Sequence, residues 1–237
     1  MGVIILQKTF KKGDKPISKI TQCALQKEAV SSLYLAELLN LSVDKKMFRE
    51  DFDLEEGRNK LLSSPLIEDA KISFISEDHI LVKYWHVNAM ALIGDFNNVG
   101  IDREGRLFPI KPFLSPKGLV KIFLGIQEVV EGGNISFFKE KNRWVFAKKV
   151  LEDLYALEMK GRITSIDVSK IEELSLGKNE LIVTVDFIER KDILRLSKRN
   201  YLNEVSQYCI LCDSLKNEKG TKMIDFRSDG VAFIERF

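Results

Sequence analysis

Hydrophobic positions along this chain switch repeatedly between a period of two and a period near 3.6, and the switches mark out strands and helices. Ile17 to Leu25 predicts a first strand. Ser31 or Ser32 caps a helix whose apolar positions include Leu35, Leu38 and Leu39. A second helix starts after Phe52. There Asp53 is placed to accept hydrogen bonds from the first free amides, Glu55 and Glu56 sit at the positive helix end, and Leu54, Leu61 and Leu62 give an apolar side. Ser63-Ser64-Pro65 stops it. Two apolar runs follow, Ile67 to Ile75 and Ile80 to Ile93. In the first, Ala70, Ile72 and Phe74 alternate with Lys71 and Ser73; in the second, Ile80, Val82 and Tyr84 alternate with Leu81, Lys83 and Trp85. Ser76 to His79 turns one strand into the other.

The pattern divides near Gly94 and becomes strand-rich after it. Ile101 and Leu107 flank Asp102-Arg103-Glu104-Gly105, where Asp102 starts a turn and Gly105 supplies the positive φ of a hairpin loop. Leu119 to Leu124 is extended and ends at Gly125. From Trp144 to Leu157 the spacing is helical, with Ala147, Val150, Leu151, Leu154 and Leu157 on one side and Gly161 as the stop. Short strands are expected at Ile163 to Val168 and at Glu172 to Leu176, then another at Leu181 to Phe187 after a turn at Lys178-Asn179. A long amphipathic helix is predicted from about Lys191 to Cys212. The chain closes with Lys222 to Arg227, a turn at Ser228-Asp229-Gly230, and Val231 to Arg236. The expected organisation is a stub or linker over residues 1–16, a first domain over 17–93 and a larger β-rich domain over 94–237.

Composition narrows the function classes. The 37 basic and 35 acidic side chains nearly cancel, so no overall field favours nucleic acid or an anionic membrane. With 45% apolar residues and only 5 prolines, the chain is folded beyond its first dozen residues. Val3 to Leu6 is too short for a signal-peptide core or a membrane span, and Leu6 stands where a myristoylation signal needs Ser or Thr.

Candidate chemistry is sparse. Cys209 and Cys212 have the spacing of a redox pair or half a zinc site. Leu202, Val205, Cys209 and Cys212 also share one face of a helix, near its C-terminus, where the dipole disfavours a thiolate, so core packing is the favoured reading over a disulfide or a metal. His79 and His86, seven residues apart on one strand, point to opposite faces and cannot grip one metal. Asp102 with Glu104, and Glu55 with Glu56, are explained by the turn and the helix start. No Gly-rich phosphate loop, nucleophile elbow or metal-binding helix motif is present, which points away from an enzyme and from any cofactor.

Three stretches carry a family resemblance. One is the helix ending at Pro65-Leu66-Ile67 and leading into a hairpin; another is Ile80 to Ile93 followed by Gly100-Ile101-Asp102-Arg103-Glu104-Gly105-Arg106-Leu107-Phe108; the last is Met223-Ile224-Asp225-Phe226-Arg227-Ser228-Asp229-Gly230-Val231-Ala232. Their order and spacing resemble the FtsQ/DivIB family of bacterial cell-division proteins, from roughly Ile17 to Phe237. The chain departs from the family at Leu66, Ser76, Glu77, His86, Ala89 and Lys121, as a divergent member would.

The resemblance implies an α+β fold, with an N-terminal POTRA domain followed by a larger β-rich domain of mixed sheet and flanking helices. It implies a non-enzymatic divisome scaffold at the septum, anchored in the inner membrane by one helix with this part on the periplasmic or extracytoplasmic side. On that reading Val3 to Leu6 is the stub of a removed helix, which is favoured, or the gene start is placed too late. The implied partners are FtsB/DivIC-like and FtsL-like proteins, with other divisome proteins at the POTRA domain. They add a strand to the edge formed by Lys222 to Arg236, contacting Lys170, Ile224, Phe226, Arg227, Gly230, Val231 and Phe233. Arg227 corresponds to an arginine that pairs with an acidic partner residue, and Ser228 replaces the aromatic that follows it in the family. Two other classes stay open: a POTRA-type module of an outer-membrane assembly or secretion protein, of which only one copy is visible here, and a thiol oxidoreductase built on Cys209 and Cys212.

Overall fold

Runs of strands are interspersed with four α-helices among the described residues, giving an α+β fold with mixed sheets. The computed structural model describes residues 15–25, 29–42, 44, 46–126, 141–159, 161–173, 175, 178–228 and 230–237, so Val3 to Leu6 and most of the expected stub lie outside the described residues. Two units separate: Met1–Asn88 with Lys111–Ser115, and Ala89–Ile110 with Pro116–Phe237. The break falls at Asn88 rather than at Gly94, because the apolar run from Ile80 to Ile93 is two strands. Its first part ends at His86, and Ala91–Ile93 hydrogen-bonds into the sheet of the second unit.

In the first unit the order is β1 (Lys19–Ala24), α1 (Ser32–Leu38), a 3-10 turn (Arg49–Asp51), α2 (Leu54–Leu62), β2 (Ile67–Ser76) and β3 (His79–His86). β3 lies centrally, parallel to β1 and antiparallel to β2. Asp53 caps α2 as its sequence predicts, accepting from the amides of Glu55 at 2.7 Å and Glu56 at 3.1 Å. Ser31 precedes α1 without a side-chain cap; its own amide instead donates to the Phe113 carbonyl at 3.1 Å. Leu54 is exposed, so α2 buries only Gly57 and Leu61 fully. Ile80, Val82 and Tyr84 form the buried side of β3, and Tyr84 Oη links three segments by donating to Gln22 Oε1 at 3.0 Å and accepting from the Val30 amide at 3.1 Å.

The second unit contains β4 (Ala91–Ile93), β5 (Val99–Ile101), β6 (Leu107–Pro109), β7 (Lys121–Phe123), α3 (Lys141–Ala156), β8 (Arg162–Asp167), β9 (Leu181–Asp186), β10 (Arg190–Leu196), α4 (Tyr201–Ser214), β11 (Gly220–Ser228) and β12 (Val231–Arg236). Among the described residues these strands make one nine-stranded sheet in the order β12-β11-β10-β9-β8-β7-β4-β5-β6. Ala147, Val150, Leu151 and Leu154 of α3, with Val205, Tyr208 and Cys212 of α4, join one core with Ile166, Val183, Val185, Leu194, Ile224 and Phe226. The β5–β6 hairpin follows its sequence closely. Gly105 has φ +89°, its amide donates to the Asp102 carbonyl at 3.2 Å, and Asp102 Oδ1 accepts from the amides of Glu104 and Arg106 at 3.0 and 2.8 Å.

Four expectations need correction. The predicted helix from Lys191 to Cys212 is a strand, a turn and a shorter helix. Arg190 and Asp192 are buried with Leu194 and Leu196 while Lys191, Ile193 and Arg195 take the other face, a period of two hidden by charges on its inward side. Glu204 stabilises the turn between them, accepting from the Ser197 amide at 2.7 Å and from the Ser197 hydroxyl. At Glu172 to Leu176 the described residues form no strand but a turn, in which Asn179 Nδ2 donates to the Ile171 carbonyl at 2.9 Å. α3 stops at Ala156, where Glu158 (φ +47°) takes the left-handed conformation assigned to Gly161. Gly161 is instead a close-packing position: a Cβ there would lie 2.3 Å from Val185 Cγ1. Finally, Leu157 and Leu202 are exposed rather than on the apolar faces of their helices.

Candidate functional site

The site is the open end of the nine-stranded sheet. Among the described residues β12 is paired only with β11, antiparallel, with Lys222 opposite Arg236, Ile224 opposite Ile234 and Asp225 opposite Phe233. The Phe237 amide donates to the Thr221 carbonyl at 3.0 Å, continuing that register. In an antiparallel ladder bonded and non-bonded pairs alternate, so Phe233 and Glu235 also turn their backbone groups toward β11. Ile234 and Arg236 therefore turn theirs outward, to the unpaired side.

The other end of the sheet, the outer edge of β6, is the opposite case. The Ile110 amide donates to the Asn98 carbonyl at 3.1 Å and the Asp102 amide to the Arg106 carbonyl at 3.1 Å, which makes Val99 and Pro109 a non-bonded pair. Pro109 thus presents its missing N–H to the outer edge of β6. Of the two edges, only that of β12 offers a donor at each outward position.

Side chains on β12 separate by face. Val231 is 51% exposed and Phe233 61% exposed, whereas Ile234 is half-buried against the core. Phe233 lies on the face of Asp225, and there a cluster of charges gathers. Glu180, only 7% exposed, receives Arg195 Nη2 at 2.6 Å, Lys170 Nζ at 3.2 Å and, more distantly, Arg227 Nη1 at 3.8 Å. Asp225 Oδ2 receives Arg227 Nη2 at 2.7 Å and Arg195 Nη1 at 3.2 Å. Burial pushes the Glu180 carboxyl up, but the hydrogen bonds from Arg195 and Lys170 outweigh it and hold the group below the usual carboxylate range. Asp225 is held low in the same way, burial being outweighed by the side chain and amide of Arg227 and the charge of Arg195. The Glu204 charge also acts on Arg227, so three cations meet three carboxylates beside two exposed apolar side chains, and Lys170 is the most exposed of the cations.

Of the residues assigned to partner binding from sequence, Lys170, Arg227, Val231 and Phe233 are brought to this one region, with Gly230 exposed at the hairpin tip (φ +73°) and Asp229 outside the described residues. Ile224 and Phe226 are not part of it. Both point into the helix-covered core, where Phe226 meets the Tyr208 ring edge-on at 6.4 Å, because alternate residues of β11 face inward. Arg227 is not a free cation but is held by Asp225. Sequence reasoning missed Glu180, Arg195 and Asp225. The signal available was the strand alternation of Asp225 with Arg227, and Arg195 was lost with the strand read as helix.

The remaining candidates carry less. Cys23, Cys209 and Cys212 are not joined in a disulfide. Cys212 lies on the wall of a cleft of about 990 Å³ beside the β9–β10 turn and is itself buried, with Sγ accepting from Arg190 Nη2 at 2.9 Å. His79 Nε2 bonds Thr21 Oγ1 at 2.8 Å, while His86 Nδ1 donates to the Val87 carbonyl at 2.7 Å. Among the described residues no group of three metal-ligating side chains comes together, and no described helix is long and apolar enough to cross a membrane. In comparison with known proteins, no family model matches the chain and no curated protein matches it either.

Proposed function

We propose that this chain is a non-catalytic binding scaffold that takes an extended partner segment as a tenth strand along β12. The observation that carries this is the unpaired, proline-free β12 edge, flanked by exposed Val231 and Phe233 and by a charged cluster in which Lys170 is the most exposed cation. Backbone groups of Ile234 and Arg236 bind the incoming strand, apolar contact on Phe233 sets its register, and an acidic side chain of the partner settles against the exposed Lys170. The FtsQ/DivIB resemblance makes the partner an FtsB/DivIC-like or FtsL-like division protein, and the chain a divisome component anchored in the inner membrane. The first unit, with its strand, two helices and hairpin, is then the POTRA domain, and the second the β-domain. That assignment is supported by the order of elements and by a final hairpin at the sheet edge.

Calorimetry with the outer segments of FtsB and FtsL from the same organism tests the reading. Ile234→Pro removes one outward N–H without touching a bond to β11, and should weaken binding by at least about tenfold. Ile234→Ala controls for the lost side chain and should bind nearly as the parent does. Equal affinity of the proline variant, with unchanged circular dichroism, would remove β12 as the site. Failure of the intact chain to bind either segment would remove the divisome assignment while leaving the edge free for another partner.

A further inference from the structure

The three-stranded sheet of the first unit buries one face under its helices and leaves the other open. On that open face the register places Lys83 of β3 directly opposite Lys71 of β2, with Cys23 of β1 on its other side. Both lysines are exposed, and neither has an acidic partner among the described residues. Like charges directly opposite each other on a sheet destabilise it. Two residues along β3 from Lys83, on the same face, stands Trp85, 43% exposed; beside it is Leu25, 49% exposed, and on the far side of Lys83 is Leu81. Asp69, opposite Trp85, is engaged by Arg58 Nη2 at 3.0 Å, and Asp78 at the β2–β3 turn accepts from Ser76 and Ser18.

We infer that this face is a second docking surface, and that its occupant is a short acidic peptide segment of a protein partner. A carboxylate seated between the Lys71 and Lys83 ammonium groups relieves their repulsion, and apolar side chains on either side of it cover Trp85 and Leu81. Local and overall charge differ here. The first unit as a whole carries fourteen Lys or Arg and thirteen Asp or Glu, so no field over it favours a long polyanion, while this one point attracts a single acidic group. That contrast selects a peptide over nucleic acid or an anionic membrane. The surface is independent of β12, which belongs to the second unit.

The chain has two tryptophans, and Trp144 is buried, so a Trp144→Phe background leaves Trp85 as the sole reporter. The probe is a capped peptide of alternating Glu and Leu, followed by the emission of Trp85. It should shift that emission in a saturable way, and Lys71→Glu with Lys83→Glu should weaken the response by at least about tenfold while creating affinity for the matching Lys and Leu peptide. Unchanged affinity in the charge-reversed protein, no response of Trp85, or tighter binding of oligo-dT or of phosphatidylglycerol vesicles than of the acidic peptide would each overturn the inference. Circular dichroism accompanies every variant, and since both lysines are exposed the fold is expected to persist.

Discussion

Replacing Asp192 by Ala tests the buried network that holds β10 against α4. Asp192 is fully buried, accepts from Tyr208 Oη at 2.7 Å, and lies 3.0 Å from Arg190 Nε, close enough for ion pairing although the N–H is not aligned for a hydrogen bond. Arg190, 5% exposed, also donates to the Leu215 carbonyl and to Cys212 Sγ. Burial alone would lower the Arg190 pKa; the neighbouring Asp192 charge together with Cys212 and Tyr208 outweighs this and raises it, and burial together with the Asp192 hydrogen bond raises that of Tyr208. Removing the carboxylate leaves a buried guanidinium uncompensated, which costs about 3–5 kcal/mol. It also leaves a buried hydroxyl without its acceptor, about 1–3 kcal/mol. The two effects share one group and do not add fully, so a loss of about 4 kcal/mol is expected, a large part of a typical stability of about 5–15 kcal/mol. In urea unfolding followed by circular dichroism the midpoint should fall with little change in slope, and Tm should drop by roughly 8–16 °C at about 2–4 °C per kcal/mol. Arg190→Met with Asp192→Leu and Tyr208→Phe should recover most of the loss, since it replaces charge by volume. A loss below about 1 kcal/mol for Asp192→Ala, or a triple variant no better than the single one, would refute the account.

Other outcomes follow from single positions. Lys71→Glu turns a repelling cross-strand pair into an attracting one and should raise stability by about 0.5 kcal/mol in thermal unfolding; a decrease would contradict the register. Gly105→Val must adopt φ +89° and should destabilise by at least about 1 kcal/mol, so unaltered stability would remove the turn assignment. Because the folded-state pKa of Glu180 is depressed, its contribution to stability is complete above its ordinary value of 4.5 and lost as pH falls through the folded value. Glu180→Gln should therefore be less stable than the parent at neutral pH and approach it on acidification; a gap that widens toward low pH would show the sign to be wrong.

Much of the first unit was legible because its signals are local. Asp53 with Pro65 brackets α2, and Ala70, Ile72, Ile80, Val82 and Tyr84 show the two-residue period of strands with one wet face. β10 was not legible, since its inward positions include Arg190 and Asp192, whose burial depends on α4, and the turn after it, Ser197 to Asn200, contains neither Gly nor Pro. The site shows the same division. That β12 ends the sheet as an open edge could be anticipated from the closing hairpin, and so could the exposure of Val231 and Phe233. Which of Ile224, Phe226 and Arg227 faces inward depends on which side of the sheet the helices cover. The engagement of Arg227 depends on Glu180 and Asp225, and Glu180 lies 47 residues earlier, a separation no local pattern reports.

The unequal ends of the large sheet bear on how this protein survives in concentrated solution. At β6 the proline denies any arriving chain a complete ladder, whereas β12 will pair with whatever extended backbone reaches it, and Val231 and Phe233 make such an encounter adhesive. Only the charges of Glu235 and Arg236, both exposed, discourage misuse of that edge. The free protein should thus be the form prone to clumping and the partnered one the form that stays dispersed, so that the supply of partner relative to this chain governs its solubility as well as its occupancy.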